Sequence, residues 1–197
     1  ENLDELIKAD YSRVCGVKVF MGSSTGNMLV GSEASLEEIF RTVPALIAVH
    51  AESEDIIRAN KTLYQKEAGE DPPLKYHPLI RSVEACYASS AKAVEMAVKS
   101  GTRLHLLHLT TRKELSLLTP GRASEKSITA EVCIPHLWFD DRDYEHYGNA
   151  IKCNPAVKSA KDRAALRAAL NQDLLDVVAT DHAPHTWEEK QGGCLKA

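Results

Sequence analysis

A short polar segment near the end of the chain combines residue types that bind metals and move protons. It reads Thr180-Asp181-His182-Ala183-Pro184-His185, and Lys190 follows it. A mostly apolar run typical of a buried strand, residues 174–179, comes directly before it. Aspartate and histidine side chains are zinc ligands and general bases. An Asp at a strand end with a His four residues later therefore predicts a metal or acid–base site.

Three further polar side chains lie in or at the ends of other apolar runs. Lys18 lies in a run rich in Val and Phe, His50 ends the run 45–50, and His108 follows two leucines. Each has an ordinary explanation when taken singly: a strand lysine reaches solvent, a buried histidine finds a partner, and Asp181 caps a turn. Packing alone does not select all four, because each buried polar group needs its own partner. We therefore interpret them as one functional constellation.

The segments between these residues alternate between strand-like and helix-like patterns. Strands are predicted at 14–21, 45–50, 103–109, 127–135 and 174–180, and helices at 35–42, 52–68, 82–99, 111–118 and 159–172. This alternation predicts a parallel sheet covered by helices, either an open doubly wound layer or a closed barrel. We favour the barrel, because a (β/α)₈ barrel builds its active site from side chains at the ends of many strands.

The turn after the first predicted strand does not carry a nucleotide-binding pattern. Its sequence, Gly22-Ser23-Ser24-Thr25-Gly26-Asn27, is flanked by glycines but lacks the Lys-Ser/Thr pair of a P-loop. The glycine fingerprint of dinucleotide-binding folds is also absent here. At the next helix, Ser35-Leu36-Glu37-Glu38 predicts a capping box.

The composition is that of an ordinary globular domain. The chain has 197 residues, of which 44% are hydrophobic and 26% charged, and its formal net charge is −4. These values predict neither a nucleic-acid nor a membrane partner. Five scattered cysteines without CxxC spacing predict reduced thiols in a cytoplasmic protein. A homo-oligomer remains open.

The segment that begins at Thr180 resembles the signature of the dihydroorotases, in which Asp-x-Ala-Pro-His is followed by a Lys five residues after the His. Dihydroorotases are cyclic amidases of the amidohydrolase superfamily, which also contains hydantoinases and allantoinases. The other matching segments are Val17-Lys18-Val19-Phe20-Met21, Val49-His50-Ala51-Glu52, His108-Leu109-Thr110-Thr111, residues 129–136 and Ile151-Lys152-Cys153-Asn154-Pro155. The resemblance covers almost the whole chain, from about residue 14 to residue 194.

The resemblance implies two Zn²⁺ ions at the mouth of a metal-dependent (β/α)₈ TIM barrel. It places Lys18 in the bridging position as N6-carboxylysine, a carbamate formed with CO₂. A free ammonium group cannot bind a cation, so carboxylation explains a lysine at this position. The other ligands that it places in this chain are His50, His108 and Asp181. Bound metal would polarise the amide carbonyl and lower the pKa of water.

The same resemblance assigns roles around the metal site. Asp181 would be the catalytic proton carrier, first as a base and then as an acid. Asn154 and His185 would bind the substrate. We interpret His105 as structural, because it lies three residues before His108 and would face the opposite side of a continuous strand.

The activity implied is the reversible cyclisation of N-carbamoyl-L-aspartate to L-dihydroorotate in de novo pyrimidine biosynthesis. The alternatives are a hydantoinase or allantoinase and a non-catalytic binding protein that keeps the amidohydrolase fold. The Ala-Pro-His portion of the segment favours dihydroorotase.

One family feature is absent from the 197 residues. They contain no His-x-His pair and no Arg after it, which the family carries on strand 1. We therefore interpret residues 1–197 as the C-terminal part of a barrel, strands 4 to 8, and expect His-x-His-x-Arg upstream. We also expect the 197 residues alone to be inactive and to aggregate or need a partner chain, because open apolar sheet edges associate.

Overall fold

The computed structural model describes residues 2–22, 29–30 and 32–197. Within them the chain forms a parallel sheet of five strands that lie side by side in chain order. The strands are β1 (Gly16–Phe20), β2 (Leu46–His50), β3 (Leu104–Leu106), β4 (Ile128–Cys133) and β5 (Val177–Ala179). A doubly wound sheet reverses its strand order at a switch point, whereas the wall of a (β/α)₈ barrel does not. The observed order therefore favours the predicted barrel.

Helices connect the strands. They are α1 (Leu3–Lys8), α2 (Glu33–Thr42), α3 (Glu54–Ala68), α4 (His77–Ile80), α5 (Val83–Ser100), α6 (Ile134–Trp138), α7 (Tyr144–Tyr147) and α8 (Ala160–Leu170). Short 3₁₀ turns lie at Leu74–Tyr76, Glu114–Leu117, Ala123–Glu125, Asp141–Asp143 and Gly148–Ile151. None of the helices in the described residues is long and apolar enough to cross a bilayer.

The two faces of the sheet differ in chemistry. One face packs against α2, α5 and α8, and its buried strand residues are Val17, Val19, Ile47, Val49, Leu104, Leu106, Ala130 and Val132. Side chains alternate along a strand, so the residues between them occupy the other face. A row of partners in register crosses that second face: Lys18, Ala48, His105 and Thr129. The polar groups of the first four strands therefore share the face opposite the helices.

Helix ends follow from local capping. The Ser82 hydroxyl accepts a hydrogen bond from an amide in the first turn of α5, and Gly101 ends that helix in the left-handed conformation, with φ of 72°. The capping box predicted at Ser35 is wrong. Ser32 is the cap of α2, because its hydroxyl accepts the Ser35 amide at 3.1 Å. The helix predicted at 111–118 is a single 3₁₀ turn.

The third strand is shorter than predicted. It ends at Leu106, because the chain turns at His108, where φ is 40°. The argument that separated His105 from His108 by strand alternation is therefore wrong, since His108 lies beyond the strand. A structural role for His105 fits its contacts, because its ring nitrogens lie 2.8 Å from Thr129 Oγ1 and 3.2 Å from Glu131 Oε2.

Two other parts of the chain bear on the predictions. Residues 23–27 of the glycine-flanked turn lie outside the described residues, so the expected turn there is not tested. On β5, Val177 and Val178 are 41% and 52% exposed. Exposed apolar side chains on a last strand are the kind of surface that associates with further protein.

Candidate active site

His50 and His108 lie side by side at the carboxyl ends of neighbouring strands. His50 is the last residue of β2, opposite Phe20 of β1, and His108 follows the end of β3. The two imidazole rings meet edge to face, with centroids 4.6 Å apart and an interplanar angle of 71°. Phe20 stacks on His50 with centroids 5.9 Å apart. The structure therefore brings together two of the four predicted metal ligands.

His108 is buried in an unusual way for a polar side chain. It is 2% exposed, and both ring nitrogens lack a hydrogen-bond partner among the described residues. Burial lowers the pKa of His108 well below its usual value, and the neighbouring His50 and His136 lower it further. The neutral ring carries one N–H and one lone pair. Buried polar groups are normally satisfied, so an unpartnered lone pair beside a second imidazole fits a metal ligand.

His50 contacts a buried ion pair that the sequence reasoning missed. Its Nε2 lies 2.9 Å from Oε2 of Glu52, and Nη1 of Arg81 donates to the same oxygen at 2.5 Å. Burial raises the pKa of Glu52, but the charge of Arg81 and the hydrogen bond from His50 outweigh it and bring that pKa to about 2. Glu52 is therefore a buried carboxylate. The one signal in the sequence was a Glu two residues after a strand-end His.

Lys18 lies on the same face of the sheet as His50, two residues before the end of β1. Its side chain is exposed, and its Nζ lies over the Phe20 ring, 4.7 Å from the centroid. Because Phe20 in turn stacks on His50, the lysine extends toward the carboxyl end of the sheet. This placement is compatible with the predicted bridging ligand, and carboxylation of Lys18 stays a prediction.

Asp181 follows β5 and lies near the end of β4. Asp181 lies two residues after Ala179, which pairs with Cys133, the last residue of β4. Burial, then the charges of Glu131 and Asp181, raise the pKa of the Cys133 thiol to about 12. Asp181 itself is exposed. Across the described residues, no three or more His, Cys, Asp or Glu side chains are grouped to hold a metal ion. The ligand role of Asp181 therefore stays a prediction.

Backbone strain coincides with two of the predicted ligands. Within the described ranges, the non-glycine residues with positive φ are His108 (40°), Asp173 (52°) and Asp181 (45°). Such conformations cost free energy and are concentrated at functional sites. At His108 and Asp181 the positive φ turns the chain away from the direction that a continued strand would take.

Two buried histidines hold the loop that carries Asn154. A ring N–H of His77 donates to the carbonyl oxygen of Cys153 at 2.9 Å, and one of His136 donates to that of Pro155 at 3.0 Å. Burial lowers the pKa of His77 to about 3 and that of His136 to about 4. Both rings are therefore neutral, and the residues on either side of Asn154 are fixed by buried hydrogen bonds.

A cavity of about 440 Å³ lies beside this loop and includes Arg81, the partner of Glu52, in its wall. Its charged side chains are Glu54, Lys61, Arg81 and Lys152, and Asn154 also lines it. Cations outnumber carboxylates among these side chains, which favours an anionic ligand. The Lys190 ammonium group donates to the Lys152 carbonyl at 2.7 Å, so the segment after β5 is tied to the loop of Asn154.

His185 lies on the surface in this structure. It is exposed, and its Nδ1 is 3.4 Å from Oε2 of Glu189, one helical turn further along the chain. The contacts described thus place Asn154 at the cavity wall and His185 against Glu189. Substrate binding by either residue stays a prediction.

Comparison with known proteins finds curated relatives that are named dihydroorotase. No protein-family model matches the chain. It is 42% identical over 110 residues to the dihydroorotase of Lactiplantibacillus plantarum, covering 56% of this chain and 26% of that protein. It is 33% identical over 183 residues to the dihydroorotase of Methanosarcina mazei, covering 88% of this chain and 39% of that protein.

The chain is also similar to a solved structure. The L-hydantoinase (dihydropyrimidinase) from Arthrobacter aurescens superposes with a TM-score of 0.86 at 27% identity, covering 96% of this chain and 42% of that one. The chain thus spans less than half the length of each of these three proteins.

The parallel strands in chain order, the helices on one face and the polar groups at the carboxyl strand ends define part of a TIM-type α/β barrel. The chain is similar in structure to hydantoinases, which are TIM-barrel members of the amidohydrolase superfamily. Within that superfamily its curated relatives are dihydroorotases. The expected fold and the expected resemblance to the amidohydrolase superfamily are therefore confirmed.

Proposed function

We propose that the chain forms part of the active site of a zinc-dependent dihydroorotase. The reaction is the reversible cyclisation of N-carbamoyl-L-aspartate to L-dihydroorotate in the cytoplasm, a step of pyrimidine biosynthesis. The observation that carries the proposal is the buried ring of His108, which has two unpartnered nitrogens and lies edge to face against His50 at adjacent strand ends. The dihydroorotase relatives support the choice of reaction.

The two imidazoles fit a shared zinc ion. Two histidines bound to one tetrahedral zinc, with Zn–N bonds of about 2.0 Å, have ring centroids about 5 Å apart. The observed separation of 4.6 Å is close to that value. His50, His108, Lys18 as the carbamate and Asp181 would be the ligands that this chain contributes to a two-zinc site. When bound, zinc supplies Lewis acidity and a water of lowered pKa.

The side chains of the protein would handle the substrate and the proton. Asp181, exposed after β5, would accept a proton from water and deliver it to the ring nitrogen that leaves. Asn154 and His185 would orient the small-molecule substrate. The cations of the cavity beside Asn154 favour dihydroorotate, which carries a carboxylate, over an uncharged hydantoin ring.

The test uses protein expressed from the whole reading frame that encodes the chain. Its zinc content is measured by mass spectrometry, and ring opening is assayed with L-dihydroorotate, hydantoin and allantoin. We expect bound zinc and turnover that is fastest with dihydroorotate. His108→Ala should lose both, whereas the exposed His146→Ala should keep both.

The other outcomes separate the alternatives. Bound zinc with turnover of hydantoin or allantoin alone would assign the chain to those enzymes. Neither zinc nor turnover with any of the three rings would identify a non-catalytic protein of the same fold.

A further inference from the structure

Glu52 lies at the centre of a rigid buried network beside His50. It is fully buried, between the end of β2 and the start of α3. Its carboxylate oxygen Oε2 accepts hydrogen bonds from both Arg81 and His50. Its backbone is also confined, because a Cβ added at Gly22 would lie 1.8 Å from the Glu52 carbonyl oxygen. The carboxylate is therefore held by hydrogen bonds from two separate parts of the chain, and its backbone has little room to move.

The arrangement determines which nitrogen of His50 carries the proton. An arginine side chain only donates hydrogen bonds, and an ionised carboxylate only accepts them. At the 2.9 Å contact with Oε2, the Nε2 of His50 is therefore the donor. In a neutral imidazole with a proton on Nε2, the lone pair lies on Nδ1.

We propose that Glu52, held by Arg81, is a positioning residue that fixes His50 in the tautomer whose Nδ1 is free to bind a metal ion. The metal part of this inference rests on the proposed function, and the tautomer part does not. Histidine ligands commonly donate their second nitrogen to a carboxylate, which sets the ring orientation and raises ligand basicity. Here that carboxylate is itself anchored by a partly buried arginine, whose side chain is 15% exposed.

A purely structural ion pair is the competing explanation. Glu52 and Arg81 connect the segment after β2 to the segment before α5, and such a pair can serve only to join two elements. That role predicts a loss of stability when the pair is broken, but no change in the proton position on His50. The tautomer is therefore the readout that separates the two roles.

The experiment records long-range ¹H–¹⁵N correlations of histidine-labelled, chelator-treated protein from the whole reading frame, with His50 assigned by comparison with His50→Gln. We expect His50 to be protonated at Nε2 and unprotonated at Nδ1. Glu52→Leu removes the acceptor, so a population with the proton on Nδ1 should appear. Glu52→Gln keeps an acceptor oxygen and should retain the original tautomer. The exposed Glu70→Leu is the control.

Zinc affinity is the second readout. We expect Glu52→Leu to weaken zinc binding about 10- to 100-fold, the usual effect of removing a hydrogen-bond partner of a ligand. Glu52→Gln should lose less, and Glu70→Leu should lose nothing.

The tautomer readout can overturn the positioning role. A wild-type spectrum with the proton on Nδ1 would do so without any variant having to fold. An unchanged tautomer in Glu52→Leu would also overturn it. Protein that shows the expected tautomers but binds no zinc would leave the positioning role intact and refute the proposed function.

Discussion

Replacing His108 with leucine should stabilise the metal-free protein while abolishing zinc binding. The side chain is 2% exposed, and its two ring nitrogens have no hydrogen-bond partner in the described part of the chain. A buried polar group without a partner carries its full desolvation cost, and replacement by an apolar side chain of similar size removes that cost. Such a residue is retained for function at the expense of stability.

The size of the effect follows from two opposing terms. One unsatisfied buried donor costs about 1–3 kcal/mol. The backbone at position 108 has φ of 40°, where leucine is less tolerated than histidine, and we allow about 1 kcal/mol for this penalty. The net expectation is a gain of about 0–2 kcal/mol in the free energy of unfolding.

The assay is equilibrium urea unfolding followed by circular dichroism in the presence of a chelator. His136→Leu is the matched control, because this buried histidine donates to the Pro155 carbonyl, and its loss should destabilise the protein by about 1–3 kcal/mol. A destabilisation of similar size in His108→Leu would refute the reasoning, since it would show that the ring contributes to the fold.

Three further predictions concern the site and its supporting histidines. Lys18→Ala should lose zinc and nearly all turnover. Added short carboxylic acids should restore part of the turnover, because they can replace the carbamate. Full metal content in Lys18→Ala would exclude the bridging role. His185→Ala and Asn154→Ala should lower dihydroorotate turnover and leave zinc content unchanged, since neither is a proposed ligand; zinc loss would mean that ligand and substrate roles are misassigned. The free energy of unfolding should fall as the pH drops below about 6.5, the histidine pKa in the unfolded chain. The native pKa values are about 3 for His77 and about 4 for His136, so between these values and about 6.5 only the unfolded chain takes up the protons. Urea unfolding between pH 7 and 4 measures this slope, and a flat profile would contradict it.

Local patterns in the sequence were sufficient for the sheet and for the histidine pair. Short apolar runs separated by helical segments predict parallel strands, and residues at the ends of neighbouring parallel strands must meet. His50 and His108 could therefore be predicted to lie together. The family of the chain could be predicted from the segment around Asp181.

Contacts between residues far apart in the chain could not be predicted from such local patterns. Arg81 is 29 residues from Glu52 in the chain, and their ion pair forms because α4, which ends just before Arg81, packs against α3, which begins just after Glu52. The turn at His108 depends on a positive φ that periodicity does not signal, so β3 was predicted too long. Ser32 and Ser35 are both capable caps, and the choice between them is made by the folded chain.

The most direct test of the account is an X-ray structure of the zinc-loaded protein with an anomalous difference map recorded at the zinc edge. We predict a peak between the rings of His50 and His108, about 2.0–2.1 Å from one nitrogen of each, with a carboxylated Lys18 beside it. A zinc-replete crystal without a peak between these two rings would contradict the central claim that the strand ends form a metal site.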